Sequence, residues 1–192
     1  MPTGLRMKKT IEAAAKFAAL NGGRIRRLNL LKLLYLLDRH ALQNWGSVVT
    51  GDRYVNMKNG PVLSDILNVS KEKSSGTLQD AWKRHFSMRG PYEVALIDRD
   101  DALGVEAPHF LSECEAEAIR LLYDKHGHRT WDEFSDWMHQ NCPEWKMPTP
   151  QDSSEPLPLE KILEGIGLSG EKQRSLAEAV KRSKKERSLL GC

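Results

Sequence analysis

Apolar residues crowd one stretch of this chain. From position 28 to 37, leucine or tyrosine occupies every place except Asn29 and Lys32. A helix drawn through Leu28–Ala41 is apolar nearly all round, which places it inside a core rather than on a surface. Asn29, Lys32, Arg39 and Gln43 are expected to mark its wet edge. Upstream, Ile11, Ala14, Ala15, Ala18 and Ala19 recur at helical spacing, so Thr10–Leu20 reads as an amphipathic helix. Its small alanine face allows close approach to the leucine-rich helix. Asn21-Gly22-Gly23 ends it, and Arg24, Arg26 and Arg27 fall in the connection.

After Trp45-Gly46 the period changes. Arg53, Val55 and Met57 point one way and Tyr54 and Asn56 the other, which is the alternation of a strand with one buried face. Asn59-Gly60 reads as a tight turn. Pro61 suits the first turn of a helix, where its missing N–H is not needed. Asp65 is then favoured by that helix's dipole, and Ile66, Leu67 and Val69 form the buried side. Leu78, Trp82 and Phe86 predict a short helix over Thr77–Phe86. Tyr92–Ile97 is β-branched and aromatic enough for a strand, followed by a turn over Asp98–Gly104 and a short return strand at Ala102–Glu106. The strands at 51–56 and 92–97 are expected to pair in one small antiparallel sheet.

Two later helices announce their starts. Ser112-Glu-Cys-Glu115 and Thr130-Trp-Asp-Glu133 are capping boxes. The first helix carries Ala118, Ile119, Leu122 and Tyr123 and stops at Gly127; the second carries Phe134, Trp137 and Met138 and stops at Pro143. Met147–Pro158 holds four prolines and reads as an exposed, rather stiff connector. Leu157–Ile166 and Ser169–Ser188 look helical, with Ile162, Leu163, Ile166 and Leu168 docking on the body. The expected architecture is α+β and predominantly α-helical: a single helical domain over 1–146 with a small antiparallel β-sheet, the proline-rich connector over 147–158, and a C-terminal helical extension over 159–192 docked on the core.

A chain of 192 residues buries enough apolar surface to fold without a disulfide or a metal. Its 40% hydrophobic and 29% charged content are ordinary for a soluble globular protein. Cys114, Cys142 and Cys192 are odd in number and widely spaced, which points to free thiols in a reducing compartment. No apolar run approaches the roughly 20 residues that span a bilayer. Glu12 and Lys16 interrupt the apolar stretch behind Lys8 and Lys9, which a secretory signal does not tolerate. The expected address is the cytoplasm, with no membrane partner. The net charge of +3 hides a polarity: residues 1–27 carry seven basic side chains against one acid, and residues 98–136 carry eleven acids against four bases. Such a bipolar field suits a charged protein partner better than DNA.

Candidate chemistry is sparse. Asp136, His139 and Cys142 have the residue types of a thiolate nucleophile with its base, yet no oxyanion element or phosphate-binding loop accompanies them. The bland alternative makes His139 a helix-end residue and Cys142 a small apolar one. Cys114, His126, His128, His139 and Cys142 lack the closely paired spacing of structural zinc. Arg24, Arg26 and Arg27, or Lys181–Arg187, would neutralise phosphates, but no helix-turn-helix pair with base-reading side chains is present. The expectation is therefore no enzyme and no cofactor, with nucleic acid disfavoured as a partner.

Two strings carry more. Leu31-Lys32-Leu33-Leu34-Tyr35-Leu36-Leu37-Asp38 is followed by Thr50-Gly51-Asp52-Arg53-Tyr54-Val55-Asn56-Met57-Lys58-Asn59-Gly60-Pro61-Val62. This pattern, K-L-L-Y and then T-G-D-x-Y-x-x-x-x-x-G-P-V, resembles the signature of the Panacea domain, a family that includes SocA-like antitoxins. The helix after Leu111-Ser112-Glu113, and His139 followed by Pro143-Glu144-Trp145, resemble it too. The resemblance extends over residues 8–183, loosely between 70 and 90. It implies an α-rich antitoxin that neutralises a cognate protein toxin by direct binding, and in the SocA-like branch delivery of the toxin to a protease. A turn on a rigid scaffold is where binding residues concentrate, and Arg and Tyr are the types that anchor interfaces. Arg53, Tyr54, Met57, Lys58, Asn59, Pro61 and Asp65 are the candidate partner-binding residues, set against a structural role for each in turns, caps or core.

Overall fold

The alanine-rich segment forms helix α1 (Met7–Leu20) and the leucine-rich one forms α2 (Arg27–Trp45). In this computed structural model, which describes residues 6–97, 110–150 and 153–190, α2 is the axis of the core. Every residue from Asn29 to Asp38 is buried. The expected wet edge is narrower than its polar letters imply: Gln43 is exposed and Arg39 half-buried, but Asn29 and Lys32 lie inside. Both are buried because acceptors meet them. The Asn29 side-chain amide donates to the Arg129 carbonyl at 2.9 Å, and Lys32 reaches the Ser135 hydroxyl at 2.5 Å.

The remaining elements are β1 (Arg24–Arg26), β2 (Tyr54–Met57), β3 (Gly60–Leu63), α3 (Ser64–Ser70), α4 (Thr77–His85), β4 (Phe86–Arg89), β5 (Glu93–Leu96), α5 (Glu113–His126), α6 (Trp131–Asn141), β6 (Glu155–Pro156), α7 (Leu159–Gly165) and α8 (Gly170–Leu190). Helices α1 and α5 pack on α2 and on each other, and β3, α6 and α7 close its other sides. The fold is α+β and mostly helical, with a C-terminal helix. Ile162 and Leu163 of α7 are fully buried. The capping box at Ser112 and Glu115 is formed, and Glu133 accepts from the Thr130 amide at 2.8 Å.

The two predicted strands do not share a sheet. Two three-stranded antiparallel sheets form among the described residues, ordered β1-β5-β4 and β3-β2-β6. Each strand finds a nearer partner. β2 turns back at Lys58-Asn59 onto β3, and β4 and β5 form a second hairpin. Arg24 and Arg26, expected in a connection, are the ends of β1, paired with Ala95 and Glu93. Pro61, expected in a first helical turn, lies in β3 opposite Asn56. β3 is an edge strand, where a proline costs no ladder hydrogen bond, and the helix begins at Ser64 instead. Within the stretch read as a connector, Glu155 and Pro156 add the third strand to β2, and Leu157 is buried. The turn and return strand expected over 98–106 lie outside the described residues.

Candidate functional site

The polar residues of α2 hold three separate parts of the molecule. Lys32 donates to Ser135 of α6, whose hydroxyl in turn donates to the Trp131 carbonyl at 2.7 Å. Its ammonium lies 5.3 Å from the Phe134 ring centre. Burial pushes the Lys32 amine down to about 7, against the pull of the Asp136 charge. Tyr35, three residues on, donates from its hydroxyl to Glu144 at 2.6 Å, and Arg39 meets the same carboxylate oxygen at 2.8 Å. Asp38 faces the other way. It is fully buried and accepts from the amides of Val49 (2.7 Å) and Thr50 (2.8 Å), from the Thr50 hydroxyl and from the Tyr54 hydroxyl (2.9 Å). Burial raises the Asp38 carboxyl while these donors pull it back.

The Thr-Gly-Asp segment continues this pattern. Gly51 takes a positive φ of 67° between Thr50 and Asp52. The Asp52 carboxylate then accepts from the amides of Asp65 (3.0 Å) and Ile66 (3.1 Å), and so covers the start of α3. Burial and the Asp65 charge raise it to about 7, against the amides that donate to it. At the other end of the motif, Gly60 has φ 111°, and a Cβ there would stand 3.2 Å from Met138 Cβ. The β2–β3 turn is clamped from below. Trp145 donates from its indole to the Met57 carbonyl at 2.9 Å, and His139 Nε2 lies 3.1 Å from the Lys58 carbonyl while its ring stacks on Trp145. Thus K-L-L-Y, D, T-G-D-x-Y, G-P and the later P-E-W meet one another in space. The signature describes how the scaffold is tied.

The candidate partner residues divide between two faces and the interior. Tyr54, 9% exposed, and Pro61 are buried, with the Tyr54 hydroxyl spent on Asp38. Arg53 and Asp65 pair at 2.5 Å on one face, beside Lys184 of α8, whose ammonium lies 3.3 Å from the Asp52 carbonyl. Met57, Lys58 and Asn59 sit on another face, where they line a groove of about 390 Å³. Its floor is apolar, built from Leu28, Leu31, Val62 and Leu67. Its rim is cationic, with Arg26, Arg27, Lys58 and Lys71. The Arg26 guanidinium lies 5.4 Å from the ring centres of both Tyr92 and Trp131, two rings that remain 61% and 39% exposed. Sequence reasoning picked out Arg26 and Arg27 as free-standing cations. It gave no reason to join them to Tyr92, Lys71 and Trp131, which arrive from three other elements and carry no local pattern.

The groups weighed for catalysis or metal binding are placed otherwise. Cys142 is buried at the end of α6 with its sulfur 3.9 Å from that of Met138, and burial pushes its thiol up to about 12. His139 faces Trp145 and Lys58. His126 packs against Phe134 and Trp137, and burial lowers it to about 4.

Comparison with known proteins adds one match. The family model for the antitoxin SocA-like Panacea domain covers residues 30–146, which is the span from the leucine-rich helix to the clamp under the β2–β3 turn. Neither a curated protein nor a solved structure gives a significant match. The matched span is more than half of the 192 residues and contains the ties made by Lys32, Tyr35, Asp38, Asp52, His139 and Trp145, and the chain belongs to the SocA-like antitoxin family, as a member with a Panacea domain.

Proposed function

We propose that this protein neutralises a protein toxin by binding it directly, without bond-making chemistry of its own. The observation that carries the proposal is the family match over 30–146. Geometry supports it in two ways. The β2–β3 turn projects from a core in which α2, α6 and the Pro143–Trp145 segment lock its backbone, and a locked turn loses little entropy when a partner lands on it. Beside it lies a groove with an apolar floor, a cationic rim and exposed aromatic rings, the composition that concentrates binding energy at protein interfaces. A thiol held near 12 and a histidine stacked on Trp145 fit a binder better than a nucleophile and its base.

Co-expression with the product of the adjacent reading frame tests the proposal. That product is expected to arrest growth alone, to be tolerated when this protein is present, and to co-purify with it. A harmless neighbour, or a toxin that stays toxic and does not co-purify, contradicts it. The proteolytic-adaptor variant predicts in addition that the toxin's half-life shortens in cells that make this protein; an unchanged or longer half-life removes the variant and leaves direct binding.

A further inference from the structure

The groove beside the β2–β3 turn has a chemistry more specific than a general contact surface. Four cations line it, Lys58 on the β2–β3 turn and three others beside it. Arg26 stands between Tyr92 and Trp131, Arg27 opens α2, and Lys71 follows α3. None of the described residues lining the groove is acidic; the acids beside Arg26 stand outside the lining, Glu93 directly opposite it on β5 and Asp132 within electrostatic reach at the exposed start of α6. Arg27 and Lys71 repel one another, and both are partly withdrawn from water, which lowers both. The Arg27 guanidinium donates to the Ser70 carbonyl at 3.4 Å, a neutral acceptor. The first turn of α2 holds no acid and its start carries no side-chain cap, so Arg26 and Arg27 stand at the positive end of the helix dipole, where they are disfavoured. Repulsion among cations over an apolar floor is relieved when an anion with an apolar side arrives.

We propose that this groove takes an acidic segment of the toxin, with carboxylates against Arg26, Arg27 and Lys71 and an apolar side chain on the floor formed by Leu28, Leu31 and Val62. The proposal rests on the toxin-binding reading above and gives that reading a place and a chemistry. A polypeptide is favoured over a nucleic acid because the floor is aliphatic. Bases stack on aromatic faces, and in single-strand binding sites successive rings line a cationic track. Here the two rings flank a guanidinium, and the depth of the groove is leucine and valine.

The test is a titration of the purified adjacent-frame product onto the full-length protein at low and high salt. Four forms are compared: wild type, Arg26→Glu/Lys71→Glu, Met57→Ser, and Lys172→Glu/Arg174→Glu on the exposed side of α8. Circular dichroism checks that each is folded. Affinity of the wild type is expected to fall as salt rises, the groove double variant to bind at least ~tenfold more weakly with a flatter salt dependence, and the α8 variant to match wild type. Met57→Ser, which removes apolar surface and no charge, is expected to weaken binding without changing the salt slope. Equal affinity of wild type and both groove variants overturns the groove assignment and leaves toxin binding intact. Failure of the wild type to bind removes the toxin-binding reading itself. Tight binding of an oligouridine that is lost in the groove double variant, with toxin affinity unchanged, overturns the proposal in favour of nucleic acid.

Discussion

Lys32 shows how a single residue can be misread and why. Among leucines a lysine normally marks the solvent side of a helix, yet Lys32 is fully buried. It is tolerated there because Ser135 and the Trp131 carbonyl accept from it. Its amine is held down to about 7 from 10.5 by burial, so between those values the unfolded chain binds a proton that the folded chain has shed. Stability is then expected to rise with pH through that interval, by at most about 1.4 kcal/mol per pH unit. Cys142 acts in the opposite sense above its unfolded value of 9, because burial raises it, and Asp52 acts in the opposite sense up to and around 7, where burial and the Asp65 charge raise it, so the clean window lies above the Asp52 value, at about pH 8 to 9. Lys32→Met is expected to remove the slope and to match or exceed wild-type stability at about pH 8, as measured by urea unfolding across that window. A wild-type protein whose stability is flat between about pH 8 and 9 contradicts the buried-amine account.

At the level of elements, the ties from α2 make a sharper prediction. Glu144 is buried, and its Oε1 receives both Tyr35 and Arg39. Removing it leaves a half-buried guanidinium and a buried phenol without their partner, a change that typically costs about 3–5 kcal/mol. Glu144→Ala is therefore expected to lower the midpoint of thermal unfolding by far more than Glu164→Ala, which loses only an exposed pair with Lys161. Equal midpoints sink the idea that this segment is anchored through its carboxylate. Much of the helical framework was legible beforehand, because helices write themselves locally: the leucine density of α2, the glycine stop after α1 and the serine and threonine boxes of α5 and α6 need no distant partner. The sheets were not legible in the same way. β1, β4 and β6 are two to four residues long, too short for a pattern, and exist because distant segments pair with them. Proline's preference for the first turn of a helix points Pro61 to α3; that it sits on an edge strand is a fact of the assembled sheet.

Across the whole molecule, the family signature and the candidate binding surface part company. Lys32, Tyr35, Asp38, Thr50, Asp52 and Tyr54 point inward and tie the scaffold, so the role of these motif positions in this chain is in folding. The groove draws its side chains from β1, α2, β2 and its turn, β3, α3 and the residue after it, the segment before β5, and α6, and of these only Met57, Lys58 and Asn59 are also partner-binding candidates read from the sequence. An account in which a rigid scaffold presents a cationic, apolar groove to a toxin predicts inhibition by occupancy. The most direct measurement is therefore the activity of a fixed amount of purified toxin as this protein is titrated into it. Residual activity is expected to fall linearly and to reach its floor at a fixed whole-number ratio of the two chains. Inactivation of a large excess of toxin by trace amounts of this protein, or no inhibition at any ratio, would contradict the account.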